Sequence, residues 1–445
     1  MEMKPVITLL MFFFIMFFPL CFVYGNSQTA QPCVLQSIEY RVDGTTKDSA
    51  LRALALVKEG DEFVSLEALI KVLDDQKQSL MNRRVFKSVE YELVPGSLTE
   101  GKQYYTAVFT IVDAVSFYAI PYPKYDSNTG LRLGVKNYWN NFLGTLTDLY
   151  LGMAVDFRKN SDTDKIETGQ WYIHPAISGI RLPKGFFLSG YMDFSYNEKE
   201  FIDEVTPANS YDYSYYSAGT GANMSFPVFP KASYGVGLGM ECNFNYRGNL
   251  GPNFQQPYSV ELSHALSYGS VKWEQNFRRG FSVSVSNRYR MGGNGGFFFI
   301  PSVDVSARYY VPFWKRFNFY TRSYAFYQWN EPRNIASYIR GVRNNAMSGK
   351  GGFIFNASMA FQFWRFEKVW DAQVHPFVDV GLSYGNDSFD FRRDVNVGIG
   401  ADFVLYLDVL PSLVAVGSVG IDPRSFDKSD IFNSLEITIT SSLFF

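Results

Sequence analysis

Histidine and cysteine are the residues of this chain that could supply a proton carrier, a nucleophile or a metal ligand, and both are scarce. The set consists of His174, His264, His375, Cys21, Cys33 and Cys242. All six are isolated: there is no CxxC pair, no HExxH, no GxSxG nucleophile turn and no GxxxxGK[ST] phosphate loop. A disulfide between Cys33 and Cys242 is left open. We therefore expect neither enzymatic activity nor a cofactor or metal.

The overall composition indicates a membrane β-barrel. The net charge of −2 lacks the basic excess that nucleic-acid binding requires. Aromatic residues make up 18% of the chain, with 42 Phe and 30 Tyr, yet the mean hydropathy is only −0.10. Barrels combine these properties because the lipid-facing surface and two interfacial girdles consume aromatics, while a polar lumen lowers the average hydropathy.

The first 25 residues have the pattern of a secretory signal peptide. A short start with Lys4 precedes a nearly uncharged run from Pro5 to Tyr24, and the small Gly25 ends it. A transmembrane anchor is the alternative, because the run is nearly long enough to span a bilayer. No later segment has the ~18 consecutive apolar residues of a membrane helix.

Residues 33–113 have the mixed pattern of a small α+β domain. Strands are predicted at 37–42, 85–94 and 104–112, and a turn at 95–103. A short helix follows Asp48 or Ser49 and runs to Val57. A second helix begins after the N-cap Ser65, where Leu66, Leu69, Ile70 and Leu73 follow amphipathic spacing. The predicted order is β-α-α-β-β.

Residues 114–445 alternate between apolar and polar positions, the period of β-strands. Phe403 and Leu405 alternate with Asp402 and Tyr406, for example. Turn signals divide the region into about sixteen strands of an antiparallel transmembrane barrel, for which an even number is expected. A closed cylinder is expected, because each unpaired backbone group in hydrocarbon costs several kcal/mol. Pro121 and Pro123 indicate weak pairing of the first strand.

Two short sequences in the second half carry a loop arginine and a lumen-facing aspartate. Ile339-Arg340-Gly341-Val342 lies in the long connection 329–350, between the predicted eleventh and twelfth strands. Phe377-Val378-Asp379-Val380-Gly381 lies on the thirteenth strand, where alternation turns Phe377, Asp379 and Gly381 toward the lumen. A partly desolvated lumen carboxylate needs a partner, and arginine offers a bidentate one.

These two sequences resemble the [VI]RG[FY] and FxDxG motifs of the BamA superfamily, with Val342 in place of the aromatic residue. The resemblance implies that the loop 329–350 folds into the lumen and that Arg340 pairs with Asp379. Gly341 would permit a tight turn and Gly381 a close approach.

The rest of the chain carries further similarities to the same superfamily. The β-α-α-β-β order, with Arg84 to Val89 entering the second strand, resembles a polypeptide-transport-associated (POTRA) domain. The stretch from Pro123 to Gly144 resembles the first barrel hairpin. The terminal Leu443 and Phe445 are similar to the C-terminal signal of outer-membrane barrels. One POTRA-like unit is noticed, whereas BamA proper carries several.

The resemblance implies a BamA-type factor of the bacterial outer membrane, with its POTRA domain in the periplasm. Such a factor assists insertion, assembly or translocation of outer-membrane proteins. Clients would add a strand to the exposed edge of the POTRA sheet, and a weak seam between the first and last barrel strands would template them. The expected partners are unfolded outer-membrane proteins and outer-membrane lipid, with accessory periplasmic proteins or lipoproteins as further candidates.

Two other functions fit a barrel of this kind. A two-partner secretion transporter would pass one exoprotein through its lumen, but Gln28 to Ser37 is too short for the plug helix that such transporters usually carry. A passive porin or surface antigen would have no use for a POTRA domain.

Overall fold

The computed structural model describes residues 31–126, 130–159, 166–201, 211–249, 257–293, 297–342, 347–384, 390–424 and 435–440. The predicted signal peptide, residues 1–25, and the predicted barrel signal, Leu443 and Phe445, lie outside them. Within these ranges no helix is both long and apolar enough to span a bilayer.

A small α+β domain occupies the amino-terminal part. Its elements are β1 (Cys33–Asp43), α1 (Asp48–Arg52), β2 (Glu62–Phe63), α2 (Leu66–Met81), β3 (Phe86–Thr99) and β4 (Lys102–Asp113). The sheet order is β2-β1-β4-β3, with β1 parallel and β3 antiparallel to β4. Strand β3 is therefore an edge of this sheet.

Helix α2 forms where its cap and apolar spacing predict it. The Ser65 side chain accepts a hydrogen bond from the Ala68 backbone N–H at 3.2 Å, which satisfies one free donor of the first turn. Leu69, Leu73 and Leu80 are fully buried and belong to the core of the domain. The helix is thus held by its apolar stripe against the sheet.

Two local predictions in this domain are wrong. The predicted turn at 95–103 is confined to Glu100 and Gly101, because β3 continues through Pro95 to Thr99. Proline is tolerated there because β3 is an edge strand, whose outer side has no neighbouring strand in the described sheet that requires an N–H. The helix predicted to reach Val57 ends at Arg52.

Sixteen strands form a second, antiparallel sheet. They are β5 (Phe117–Asp126), β6 (Gly130–Trp139), β7 (Asp148–Lys159), β8 (Ile166–Leu182), β9 (Phe186–Phe201), β10 (Tyr211–Phe229), β11 (Ala232–Asn249), β12 (Tyr258–Glu274), β13 (Phe277–Gly293), β14 (Phe297–Trp314), β15 (Phe317–Gln328), β18 (Gly351–Phe366), β19 (Trp370–Tyr384), β20 (Val395–Leu407), β21 (Leu410–Ile421) and β22 (Leu435–Thr440). Each pairs with its neighbours along the chain. Two short strands, β16 (Arg333–Asn334) and β17 (Ser348–Gly349), pair with each other in the β15–β18 connection. A one-turn helix, α3 (Phe391–Asp394), precedes β20.

The first and last strands of this sheet, β5 and β22, are neighbours, with Cα atoms of the two strands within 8 Å. The sheet therefore curves round on itself as in a β-barrel. The described residues of β5 and β22 nevertheless form no hydrogen-bonded ladder with each other. The expected joining of every edge is thus not seen at this junction, where Pro121 of β5 also lacks a donor.

The two faces of the sheet differ as the alternation predicts. On β19 and β20, Val378 and Phe403 project outward and are 49% and 56% exposed. Asp379 and Asp402 project inward and are 0% and 4% exposed. The interior of the sheet is thus filled on this side.

The amino-terminal domain packs against turns at one end of the large sheet. The Arg84 guanidinium lies 4.2 Å from the Trp273 ring and donates to Asn276 Oδ1 at 3.3 Å in the β12–β13 turn. Burial lowers the pKa of Arg84. In the β6–β7 connection, Asn141 Nδ2 donates to Thr46 Oγ1 at 2.5 Å, and Leu146 is buried within the domain core. The two sheets are therefore joined by apolar and polar contacts.

Candidate functional site

The connection between β15 and β18 folds into the interior of the large sheet. Ile335, Ile339, Val342 and Met347 are almost completely buried and pack with Ile354, which faces inward from β18. Removing these apolar side chains from water holds the loop inside.

Arg340 lies at the centre of this loop and is the most extensively bound of the predicted site residues. Its backbone N–H and Nε donate to Asp379 Oδ2 at 2.9 Å each, and Nη2 donates to Asp379 Oδ1 at 2.8 Å. Nη1 reaches Asp402 Oδ2 at 2.7 Å, and Nη2 reaches Ser358 Oγ at 2.9 Å. The structure thus brings Arg340 and Asp379 together in bidentate geometry.

Three adjacent strands supply the partners of Arg340. Ser358 comes from β18, Asp379 from β19 and Asp402 from β20, and all three project inward because the strand registers place them on one face. Asp402 also accepts from Ser418 Oγ of β21 at 2.6 Å. Two carboxylates therefore share one guanidinium in a buried setting, where low dielectric strengthens the attraction.

Phe377 and Val342, the remaining predicted side chains of the two motifs, both contact the loop interior. The Arg340 guanidinium carbon lies 3.9 Å from the centre of the Phe377 ring, within cation–π distance. Val342 is 1% exposed and packs with Ile339 and Met347. An aliphatic residue at position 342 therefore fills its site in this chain.

Glycines allow the loop to approach the wall. Gly341 has φ +78°, and a Cβ there would lie 2.7 Å from the Ile421 backbone N. A Cβ at Gly398 would lie 1.7 Å from the Arg340 carbonyl oxygen, and one at Gly381 would lie 2.1 Å from Ile339 Cδ1. The predicted roles of Gly341 and Gly381 match this geometry, whereas sequence reasoning missed Gly398.

A second charged contact anchors the start of the loop. Arg333 Nη1 lies 2.7 Å from Asp304 Oδ1 of β14, and Arg333 Nη2 donates to the Tyr338 hydroxyl at 2.7 Å. The Tyr338 ring stacks on Tyr324 of β15 with centroids 4.8 Å apart. Sequence reasoning missed this anchor as well as Asp402. The only sequence signal for Asp304 and Asp402 was that each lies on the polar face of its strand.

Both ring nitrogens of the histidine nearest this site are hydrogen-bonded. His375 lies beside the Arg340 cluster, but its Nε2 bonds Gln373 Oε1 at 2.9 Å and its Nδ1 bonds the Tyr320 hydroxyl. Among the described residues, no group of three or more His, Cys, Asp or Glu side chains could hold a metal ion. Cys33 and Cys242 are both free, Cys33 within the domain core and Cys242 exposed on β11.

The loop covers one side of the interior. Inward-facing residues of β18–β20, such as Asn356 and Asp379, are fully buried beneath it. Inward-facing residues of β7–β9, such as Tyr150, His174 and Tyr191, are only half-buried. The β7–β9 side of the interior is therefore less covered than the β18–β20 side.

No protein-family model matches the sequence, and no curated protein matches it. Solved structures do resemble the fold. CdiB from Acinetobacter baumannii is 14% identical with a TM-score of 0.60, and the match covers 92% of this chain and 73% of CdiB. CdiB from Escherichia coli is 12% identical with a TM-score of 0.55, covering 96% of this chain and 92% of that one. BamA from Haemophilus ducreyi lacking POTRA domains 1–3 is 14% identical with a TM-score of 0.49, covering 92% and 83%.

Proposed function

We propose that this chain, whose fold is that of the Omp85/TpsB superfamily to which BamA and CdiB belong, assists the insertion of outer-membrane proteins. Its amino-terminal domain acts as a periplasmic POTRA domain, and its large sheet acts as a transmembrane barrel of the outer membrane. Insertion by this route requires strand edges with which a client can pair and a locally thinned bilayer, and it requires no reactive side chain.

The observation that carries this proposal is the junction between β5 and β22. The two strands are adjacent, yet the described residues form no ladder between them. A junction without a full ladder opens at a lower cost than the other strand pairs, and opening exposes backbone donors and acceptors to hydrocarbon. An incoming client strand lowers that cost by pairing with them. A porin gains nothing from a junction that opens, because opening only destabilises a passive pore.

The outer edge of β3 supports the delivery step. β3 spans Phe86–Thr99 and pairs only with β4 in the described sheet. Its far end is solvent-exposed, including Val94 and Leu98 at 46% and 61%. An extended client segment added here is held by main-chain hydrogen bonds, which accept many sequences. Bulky client side chains would rest on the exposed apolar positions.

A crosslink across the junction tests the proposal. Cysteines at outward-facing Ala119 of β5 and at Ile437 or Ile439 of β22 are oxidised in proteoliposomes after Cys33 and Cys242 are changed to serine. Insertion of an unfolded outer-membrane barrel is then measured by its protease protection. We expect insertion to fall to the level of empty liposomes when the crosslink forms, and to return on reduction.

A cysteine pair on β6 and β7, at Leu133 and Val155, is the matched control because these outward-facing residues are already register partners. Crosslinking this pair leaves the junction free and should leave insertion unchanged. Full insertion activity after complete β5–β22 crosslinking would exclude an opening junction as the mechanism.

A two-partner secretion transporter is the second candidate, because both CdiB structures share the fold and CdiB is a TpsB transporter. That function needs the loop to leave the lumen while the junction stays shut. The same crosslinked protein distinguishes the two candidates. A transporter keeps its activity with β5 and β22 joined and loses it when the loop is tethered to β19.

A further inference from the structure

The tip of the in-folded loop contacts the last strand of the sheet through a charged hydrogen bond. The Gly341 backbone N–H donates to Glu436 Oε2 of β22 at 2.7 Å. Gly341 is buried, and Glu436 is half-buried on the inward face. A carboxylate that accepts from a buried backbone N–H makes one of the stronger protein hydrogen bonds. Strand β22 is thus attached to the loop as well as to β21.

The position of the loop tip depends on the register of β22. Glu436 is paired with Gly420 of β21, and Gly341 lies on that same residue, since a Cβ at Gly420 would be 2.8 Å from the Gly341 Cα. A one-residue slip of β22 would turn Glu436 to the outer face. A two-residue slip would carry it about 6.6 Å along the strand, beyond hydrogen-bond reach.

The described residues of β22 are also held by the neighbouring strand. It pairs with β21 over six positions, from Leu435 opposite Ile421 to Thr440 opposite Val416. Its opposite side faces β5 without a ladder among the described residues. The pairing with β21 and the Glu436 contact with the loop therefore both position this strand.

We propose that Glu436 is a latch that couples the in-folded loop to the last strand. The loop stays over the interior while β22 keeps its register, and displacing either one frees the other. The coupling is reciprocal, because a bond that stabilises both parts in one state must be lost by both in the other. Its role in client insertion rests on the proposed function, in which β22 is the strand that a client displaces.

Hydrogen–deuterium exchange of the full chain in lipid nanodiscs tests the latch. Glu436→Ala should raise exchange about tenfold or more both at 435–440 and in the loop at 335–342, as expected for loss of a charged hydrogen bond. Glu436→Gln should give a smaller rise in both segments, because its amide oxygen still accepts a hydrogen bond but carries no charge. Thr438→Val is the matched control, on the same face of the same strand, and should leave the loop unchanged.

The reciprocal experiment uses the other end of the contact. Arg340→Ala should raise exchange at 435–440, and the Arg340→Ala/Glu436→Ala double variant should exceed neither single variant there. Exchange that rises only at 435–440 in Glu436→Ala would overturn the latch, as would an equal loop response in Thr438→Val. If Glu436→Ala fails to assemble, Glu436→Gln decides by the same two segments.

The latch and the proposed function fail separately. If exchange is coupled but no client is inserted, the latch stands and the proposed insertion function is wrong. If clients are inserted but exchange is not coupled, the insertion function stands and the latch is wrong.

Discussion

Replacing Arg340 by alanine is the sharpest test of the interior site. The change deletes four side-chain hydrogen bonds, two to Asp379 and one each to Asp402 and Ser358. It also leaves two carboxylates, 0% and 4% exposed, without the cation between them. Breaking a buried ion pair by removing one partner costs about 3–5 kcal/mol.

Movement of the loop out of the interior should relieve this cost, and the sheet should not need to unfold. If the loop leaves, water reaches Asp379 and Asp402, and the ladders of β18–β20 remain intact. A shift of about 3 kcal/mol multiplies the population of the loop-out state by roughly 150, at 1.36 kcal/mol per factor of ten. A state that is rare in the parent protein would then dominate.

Single-channel recording in planar bilayers measures this population as the fraction of time spent in a high-conductance level. Arg340→Ala should increase that fraction, while migration of the unheated protein on gels stays that of a folded barrel. Arg308→Ala is the control, since Arg308 of β14 also faces inward but is solvent-exposed. Equal open fractions in the parent, Arg340→Ala and Arg308→Ala would refute the assignment of Arg340 as the residue that holds the loop.

Three further predictions follow from other contacts. Gly398→Val should displace the loop as Arg340→Ala does, because its Cβ would lie 1.7 Å from the Arg340 carbonyl oxygen. Channel conductance measures this displacement, and Gly417→Val is the control because nothing lies within 4 Å of a Cβ at Gly417. Val342→Phe should lower the thermal midpoint by overpacking its buried site, at a cost of about 1–3 kcal/mol, and a stabilised protein would contradict the packing described here. Arg84→Ala should loosen the contact between the amino-terminal domain and the large sheet. Loss of a desolvated cation–π contact of about 2 kcal/mol should raise amide exchange around Trp273 by roughly 30-fold. Lys87→Ala, at an exposed position, should not change this exchange.

Much of the fold could be predicted because side-chain alternation is set by the covalent geometry of each strand. The inward placement of Asp379 and the outward placement of Val378 follow from period two alone. The helix after Ser65 could be predicted for the same kind of reason, since a cap and an apolar stripe are local features. The prediction of a turn at 95–103 was wrong because a proline interrupts a strand only where a neighbouring strand needs the N–H that it lacks, and edge position is not a local property.

The sequence by itself determined which residues share a face and which short segments could carry the charged pair, Arg340 and Asp379. Only the tertiary structure decided that Asp402 joins the same guanidinium, that Arg333 reaches Asp304, and that Glu436 meets Gly341. Those contacts depend on register between strands that lie far apart in the chain. Register is set by turn lengths, bulges and the fit of buried groups across many strands at once, so no local pattern encodes it.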